Sequence, residues 1–175
     1  RARFSLDIPW TPEETDENRH IKASSIIEKK ELDGIEARAA ILMPIIFRKN
    51  EPMILLTERS QHLSSHPGQI SFPGGKFSNI DRCLVSTAKR EAEEEVGIKE
   101  GDIEVLGFFP EYCTISGYRV TPVAALIHSE STYKLNSNEV KSILEIPMKY
   151  LLNPRNCILR SWESDQGRRH FYSIE

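Results

Sequence analysis

One stretch, Arg90-Glu91-Ala92-Glu93-Glu94-Glu95-Val96-Gly97-Ile98, constrains this chain more than any other. Residues 81–96 favour helix, and Gly97 stands where a helix C-terminus takes a left-handed residue. At about 100° per residue, Glu91, Glu94 and Glu95 project within one wedge of about 100°, while Glu93 points elsewhere. Like charges at these spacings destabilise an isolated helix by a few tenths of a kcal/mol each. A hard divalent cation compensates such a cluster. Carboxylates suit Mg²⁺ or Mn²⁺, and the lack of a Cys or His set argues against zinc. A solvated acidic face is the ordinary alternative, and the helix alone does not decide between them. Its flanks add weight. Phe72-Pro73-Gly74-Gly75 precedes it, and paired glycines let backbone approach a ligand closely. Asp81 and Arg90 are placed to form an ion pair that braces this loop against the helix.

Short apolar runs surround that helix. Strands are expected over residues 38–47 and 53–58, joined through Arg48-Lys49-Asn50-Glu51-Pro52. The first is rich in Ala, Ile and Leu and reads as buried on both faces. Residues 59–77 dissolve into Ser, His, Pro and Gly, a loop long enough to imply function. Further strands are expected over 103–109 and 119–128, a short helix from Asn138 ending at Pro147, and late strands over 157–162 and 170–174. The first 36 residues are polar, broken by Pro9 and Pro12, with a helix candidate from Thr11 and a turn at Asp33-Gly34. The organisation is an N-terminal extension over 1–36 packed on one α/β domain over 37–175.

Composition excludes several classes. The net charge of −3 provides no positive field for nucleic acid or an anionic membrane. The longest apolar run, residues 39–47, contains Pro44 and is far short of the roughly 20 residues that span a bilayer. Cys83, Cys113 and Cys157 are odd in number and far apart, so no disulfide framework or zinc knuckle is suggested. With no secretory signal visible, a reducing cytoplasm is the expected compartment. A homodimer is allowed, although no residue pattern demands one.

The helix and its flanks resemble the Nudix box, G-x5-E-x7-R-E-U-x-E-E-x-G-U, with U a bulky apolar residue. Here Gly75 is followed by Asp81 in place of the Glu, one extra residue before Arg90, and Ala92 at the first U. The resemblance implies a Nudix-type α/β/α sandwich with a mixed β-sheet. Upstream, Leu55-Leu56-Thr57-Glu58-Arg59-Ser60, then Gly68, then Phe72-Pro73-Gly74-Gly75 resembles the signature of the coenzyme A pyrophosphatase branch, with Ser64 where that signature has a second Arg. Downstream, Thr114-Ile115-Ser116-Gly117-Tyr118-Arg119-Val120-Thr121-Pro122 and Asn138-Glu139-Val140 resemble two further segments of the branch. The branch also implies a Trp-Gly segment beyond Glu175.

The resemblance implies a metal-dependent pyrophosphohydrolase that cuts coenzyme A in its diphosphate bridge, giving adenosine 3′,5′-bisphosphate and 4′-phosphopantetheine. Divalent cations stabilise charge on phosphoryl oxygens and lower the pKa of a bound water. Glu91, Glu94 and Glu95 would ligate Mg²⁺ or Mn²⁺, with the Gly74 carbonyl a weaker candidate. Arg90 would orient the glutamates, and Glu139 would be general base or a further ligand, against the alternative of helix N-terminal dipole stabilisation. Arg59, Ser60, Gly68, Phe72 and Gly75 would contact substrate. Arg119, Arg168 and Arg169 are further phosphate candidates, each equally readable as a surface arginine. His62 and His66 lie four apart in a segment that favours loop, and no H-E-x-x-H is present. Two other readings stand: a Nudix hydrolase of another nucleoside diphosphate derivative, and a catalytically silent nucleotide-binding domain.

Overall fold

The computed structural model describes residues 37–114, 117–128, 133–164 and 167–174. Strand β1 (Arg38–Arg48) lies in an eight-stranded mixed sheet. On one side it runs parallel to β7 (Arg119–Ile127). Its other edge is shared between two antiparallel partners. β4 (Gly74–Lys76) covers Ala39 to Ile41, and β2 (Glu51–Arg59) covers Ile45 to Arg48. Pro44 falls between them. Amides at alternate positions point to the same edge, and Leu42 N–H donates to Pro73 O there at 2.8 Å. The donor that proline lacks is therefore not missed.

β1 and β2 form a hairpin whose two loop residues, Lys49 and Asn50, have φ of 50° and 66°. Positive φ at both positions matches the right-handed strand twist. Beyond the hairpin β2 leaves β1 and pairs with β8 (Val140–Pro147), and briefly with β3 (Ile70–Ser71). β5 (Ile103–Phe108) and β6 (Tyr112–Cys113) pair with β7. A separate hairpin, β9 (Cys157–Ser164) with β10 (Gly167–Ile174), follows the single helical turn α2 (Met148–Leu151).

Helix α1 (Leu84–Val96) packs on β1 and β4. Ala88, Ala92 and Val96 recur at i,i+4 and are fully buried with Leu42, Ile46 and Leu55. The backbone N–H of Cys83, the N-cap, donates to Ser86 Oγ at 2.9 Å. At the other end Gly97 has φ 77°, and the amides of Gly97 and Ile98 close the helix onto Glu93 O and Ala92 O. The glycine expected to end this helix does so.

The strands expected over 38–47, 53–58, 103–109 and 119–128 are present, and the first has no exposed residue between Ala39 and Ile46. Three expectations are corrected. Where a helix was expected over 138–147, residues 138–139 are a turn and Val140–Pro147 form strand β8. Val140, Ile143 and Ile146 recur at a helix-like period, but pairing with β2 along Met53 to Arg59 overrides it. Residues 59–77 are not loop throughout, because β3 and β4 lie within them. Helix α1 starts at Leu84 rather than Asp81, whose side chain accepts from Ser78 N–H before the helix and from Thr87 and Arg90 within it. The extension over 1–36, with its Thr11 helix and Asp33-Gly34 turn, and Ile115-Ser116 lie outside the described residues. Among the described residues, no helix is long and apolar enough to cross a membrane.

Candidate active site

The site is built on one buried ion pair. Arg90 Nε donates to Asp81 Oδ1 at 2.9 Å and Arg90 Nη2 to Asp81 Oδ2 at 3.1 Å, a two-point grip across the start of α1. Ser78 N–H (2.9 Å) and Thr87 Oγ1 (3.0 Å) also donate to Asp81 Oδ2. The Asp81 side chain is only 2% exposed. The Arg90 guanidinium, followed by these other donors, holds the Asp81 carboxyl down at about 2. Arg90 is raised in turn and stays charged. Its remaining reach is spent locally: Nη1 meets Glu91 Oε1 at 2.8 Å and Glu94 Oε2 at 2.9 Å, and Nη2 donates to Lys76 O at 3.2 Å. One arginine thus ties the β4 end, the pre-helix loop and two glutamates together.

Glu91 and Glu95 lie against β4, whereas the Glu94 side chain is 52% exposed. The Glu91 carboxylate sits over Gly75, where a Cβ would come within 2.4 Å of Glu91 Cδ. Gly74 has no room either: a Cβ there would meet Ala40 O at 2.4 Å and Ile41 Cα at 2.6 Å. Its N–H donates to the Glu95 carboxylate. Glu95 is 4% exposed, and its Oε2 is buried with no hydrogen-bond partner. Burial first, then the charges of Glu91 and Glu139, push the Glu95 carboxyl up to about 7. Burial also raises Glu91. Burial and neighbouring carboxylates thus disfavour the ionised forms of Glu91 and Glu95, a pattern concentrated at functional sites.

Glu139 enters from outside α1. It ends a turn before β8 rather than beginning a helix, so the helix-dipole alternative lapses. Asn136 Nδ2 donates to Glu139 Oε1 at 2.9 Å. Arg59, at the end of β2, is near enough to stabilise ionised Glu95, and its Nε is buried without a partner. Ser60 was expected to face substrate; it is instead buried, and its Oγ donates to Ser137 O at 2.9 Å. Gly68 has φ 70°, and a Cβ there would strike Gln61 Nε2 at 2.5 Å. Phe72 is half-buried in the connection between β3 and β4, and Ser64 is exposed. Arg119 faces Glu111 at 3.7 Å, and Arg168 and Arg169 fall in β10 opposite Glu163 and Trp162.

Asn136 and Thr87 are the residues sequence reasoning passed over. An Asn three residues before a Glu is the one available signal for the first, since Asn side chains commonly organise turns. The donor set fits a hard divalent cation: oxygens only, negative in sum, with one buried carboxylate oxygen unpartnered. In the present rotamers, no three acidic, His or Cys side chains among the described residues converge on one point, because Arg90 Nη1 engages both Glu91 and Glu94.

Comparison with known proteins places this arrangement. The chain is 41% identical over 116 residues to the uncharacterized Nudix hydrolase NudL of Escherichia coli (strain SMS-3-5), covering 66% of this chain and 60% of that relative's length. It thus spans about 60% of the length of the curated relatives it matches. The fold is similar to that of an Ap4A hydrolase of C. elegans, solved as a binary complex, with a TM-score of 0.54 at 18% identity over 65% of this chain and 81% of that one. It also resembles the NUDIX domain of Shewanella oneidensis NrtR complexed with ADP ribose, with a TM-score of 0.53 at 19% identity over 73% and 87% of the two chains. The NUDIX domain family matches residues 36–149, which hold β1, α1 and the Glu139 turn. Carrying that match over most of its length, with the Asp81–Arg90 brace and the acidic face of α1 inside it, the chain belongs to the Nudix family.

Proposed function

We propose that this chain is a metal-dependent pyrophosphohydrolase that cleaves the diphosphate bridge of coenzyme A or its derivatives. The observation that carries the reading is Glu95, buried with its Oε2 unpartnered and close enough to Glu91 and Glu139 for both charges to act on it, while Glu91 lies over Gly75. Glu91, Glu94 and Glu95 would hold Mg²⁺ or Mn²⁺. When bound, such an ion neutralises phosphoryl oxygens and eases deprotonation of a water.

The chain's own residues supply the rest. Arg90, fixed by Asp81, orients Glu91 and Glu94 and offsets their charges. Gly75 leaves room for Glu91 to lie flat on the strand. Glu139 has one oxygen held by Asn136, which leaves the other to accept a proton or join the ligands. Arg59 Nε, buried without a partner beside the acids, is suited to a phosphate oxygen. The coenzyme A assignment itself rests on the run from Leu55 to Gly75.

Product analysis tests it. Coenzyme A incubated with the protein and Mg²⁺ or Mn²⁺ should yield adenosine 3′,5′-bisphosphate and 4′-phosphopantetheine, and a chelator should abolish both. Turnover of another nucleoside diphosphate derivative, with coenzyme A intact, would favour the second reading. Exposed Ser64 in place of the branch's arginine supports that reading. A folded chain inert on the whole panel would leave a silent nucleotide-binding domain.

A further inference from the structure

The turn that carries Glu139 is anchored from two sides. On one, it takes carbonyls left open at the C-terminus of α1: Lys134 N–H donates to Val96 O at 3.1 Å and Asn136 N–H to Glu95 O at 3.0 Å. On the other, Ser60 N–H donates to Glu139 O at 2.8 Å and Ser60 Oγ to Ser137 O at 2.9 Å. Ser60 is 3% exposed, so these bonds form away from water. Within the turn, Asn136 Oδ1 accepts from Asn138 N–H at 3.2 Å while Nδ2 reaches Glu139 Oε1 at 2.9 Å. Asn136 O accepts from the amides of Glu139 (2.9 Å) and Val140 (2.8 Å).

Backbone bonds alone would close this turn. The bond from Asn136 Nδ2 to the Glu139 side chain adds nothing to closure, but it fixes where one carboxylate oxygen lies and leaves the second free. A neutral amide does so without cancelling the charge, as an arginine or lysine would. Because Asn136 is also tied to the carbonyl of Glu95, the position of Glu139 is set relative to α1 itself.

We infer that Asn136 and Ser60 are positioning residues that act through Glu139, Asn136 by fixing its carboxylate and Ser60 by fixing its backbone, so that this acid meets the α1 glutamates in one orientation. The inference rests on the proposed part of Glu139 in the reaction. It gives Ser60, beside Arg59 at the end of β2, a task inside the protein rather than on the substrate.

The test compares Glu139→Gln, Asn136→Ala, their double variant, Ser60→Ala and Ser60→Thr in the full chain. Two readouts serve: kcat and KM on whichever of coenzyme A, ADP-ribose or diadenosine tetraphosphate is turned over, and calorimetric binding of Mn²⁺ alone. Whichever of kcat or Mn²⁺ affinity Glu139→Gln lowers, Asn136→Ala should lower too, by about 10-fold, as outer-shell substitutions do. KM should stay within about two-fold and Tm within a few degrees, and the double variant should be no worse than Glu139→Gln alone. Ser60→Ala should act in the same direction and Ser60→Thr, which keeps the hydroxyl, should recover most of the loss. If Asn136→Ala shifts only Tm, or multiplies onto Glu139→Gln, the inference is overturned while the reading of Glu139 survives. If Glu139→Gln changes neither readout, both fall.

Discussion

The carboxylate of Glu91 lies directly on the α-carbon of Gly75, so close that a methyl group there would sit 2.4 Å from Glu91 Cδ and 2.5 Å from Oε1. The adjacent glycine is blocked by something quite different. A methyl on Gly74 would meet backbone, Ala40 O and Ile41 Cα, rather than the end of a side chain.

This contrast separates function from fold at neighbouring positions. Gly75→Ala can be accommodated by swinging Glu91 away, so it should preserve Tm within a few degrees and lower metal-dependent turnover about 10–100-fold. Gly74→Ala cannot be relieved that way and should destabilise the fold by about 1–3 kcal/mol, as overpacking does. Thermal unfolding and turnover, measured on both variants, check the split. A Gly75→Ala protein with full activity would show that Glu91 need not lie on that strand.

The Asp81–Arg90 pair sets the response to acid. Asp81 is held down at about 2, below its ordinary range, so its ionised form favours the folded state. The contribution is about 2.5 kcal/mol, complete above about pH 4 and lost as pH falls through the folded value. About half should be gone by pH 3. Asp81→Asn should therefore be less stable than the parent at pH 7 by about this amount, and the gap should shrink as the pH approaches 2. Urea unfolding of both proteins across that range tests the sign. A gap independent of pH would mean that Asp81 is not ionised against Arg90.

Much of this arrangement was legible in the sequence because it is local. The spacing of Glu91, Glu94 and Glu95 on α1, the stop at Gly97 and the pairing of Asp81 with Arg90 all follow from helical geometry and charge. What the sequence hid is set by distant partners. β8 carries a helix-like period, and only β2, more than 80 residues away in sequence, makes it a strand. Ser60 reads as a substrate contact until the Glu139 turn folds over it and takes its hydroxyl. The unequal standing of the three helix acids was equally invisible: a wedge of about 100° places them together, yet Glu95 is buried and Glu94 is exposed.

Glu95 is the residue on which the account turns, being a buried acid, acted on by the charges of two others and left with an unpartnered oxygen. Glu95→Gln removes the charge and keeps the volume. The decisive measurement is Mn²⁺ binding by calorimetry on parent and variant, read beside thermal unfolding without metal and turnover with it. The account predicts a variant at least as stable as the parent without metal, with Mn²⁺ affinity and turnover each reduced about 100-fold or more, beyond the range typical of outer-shell changes. A folded Glu95→Gln protein that binds Mn²⁺ and turns over substrate as the parent does would contradict it.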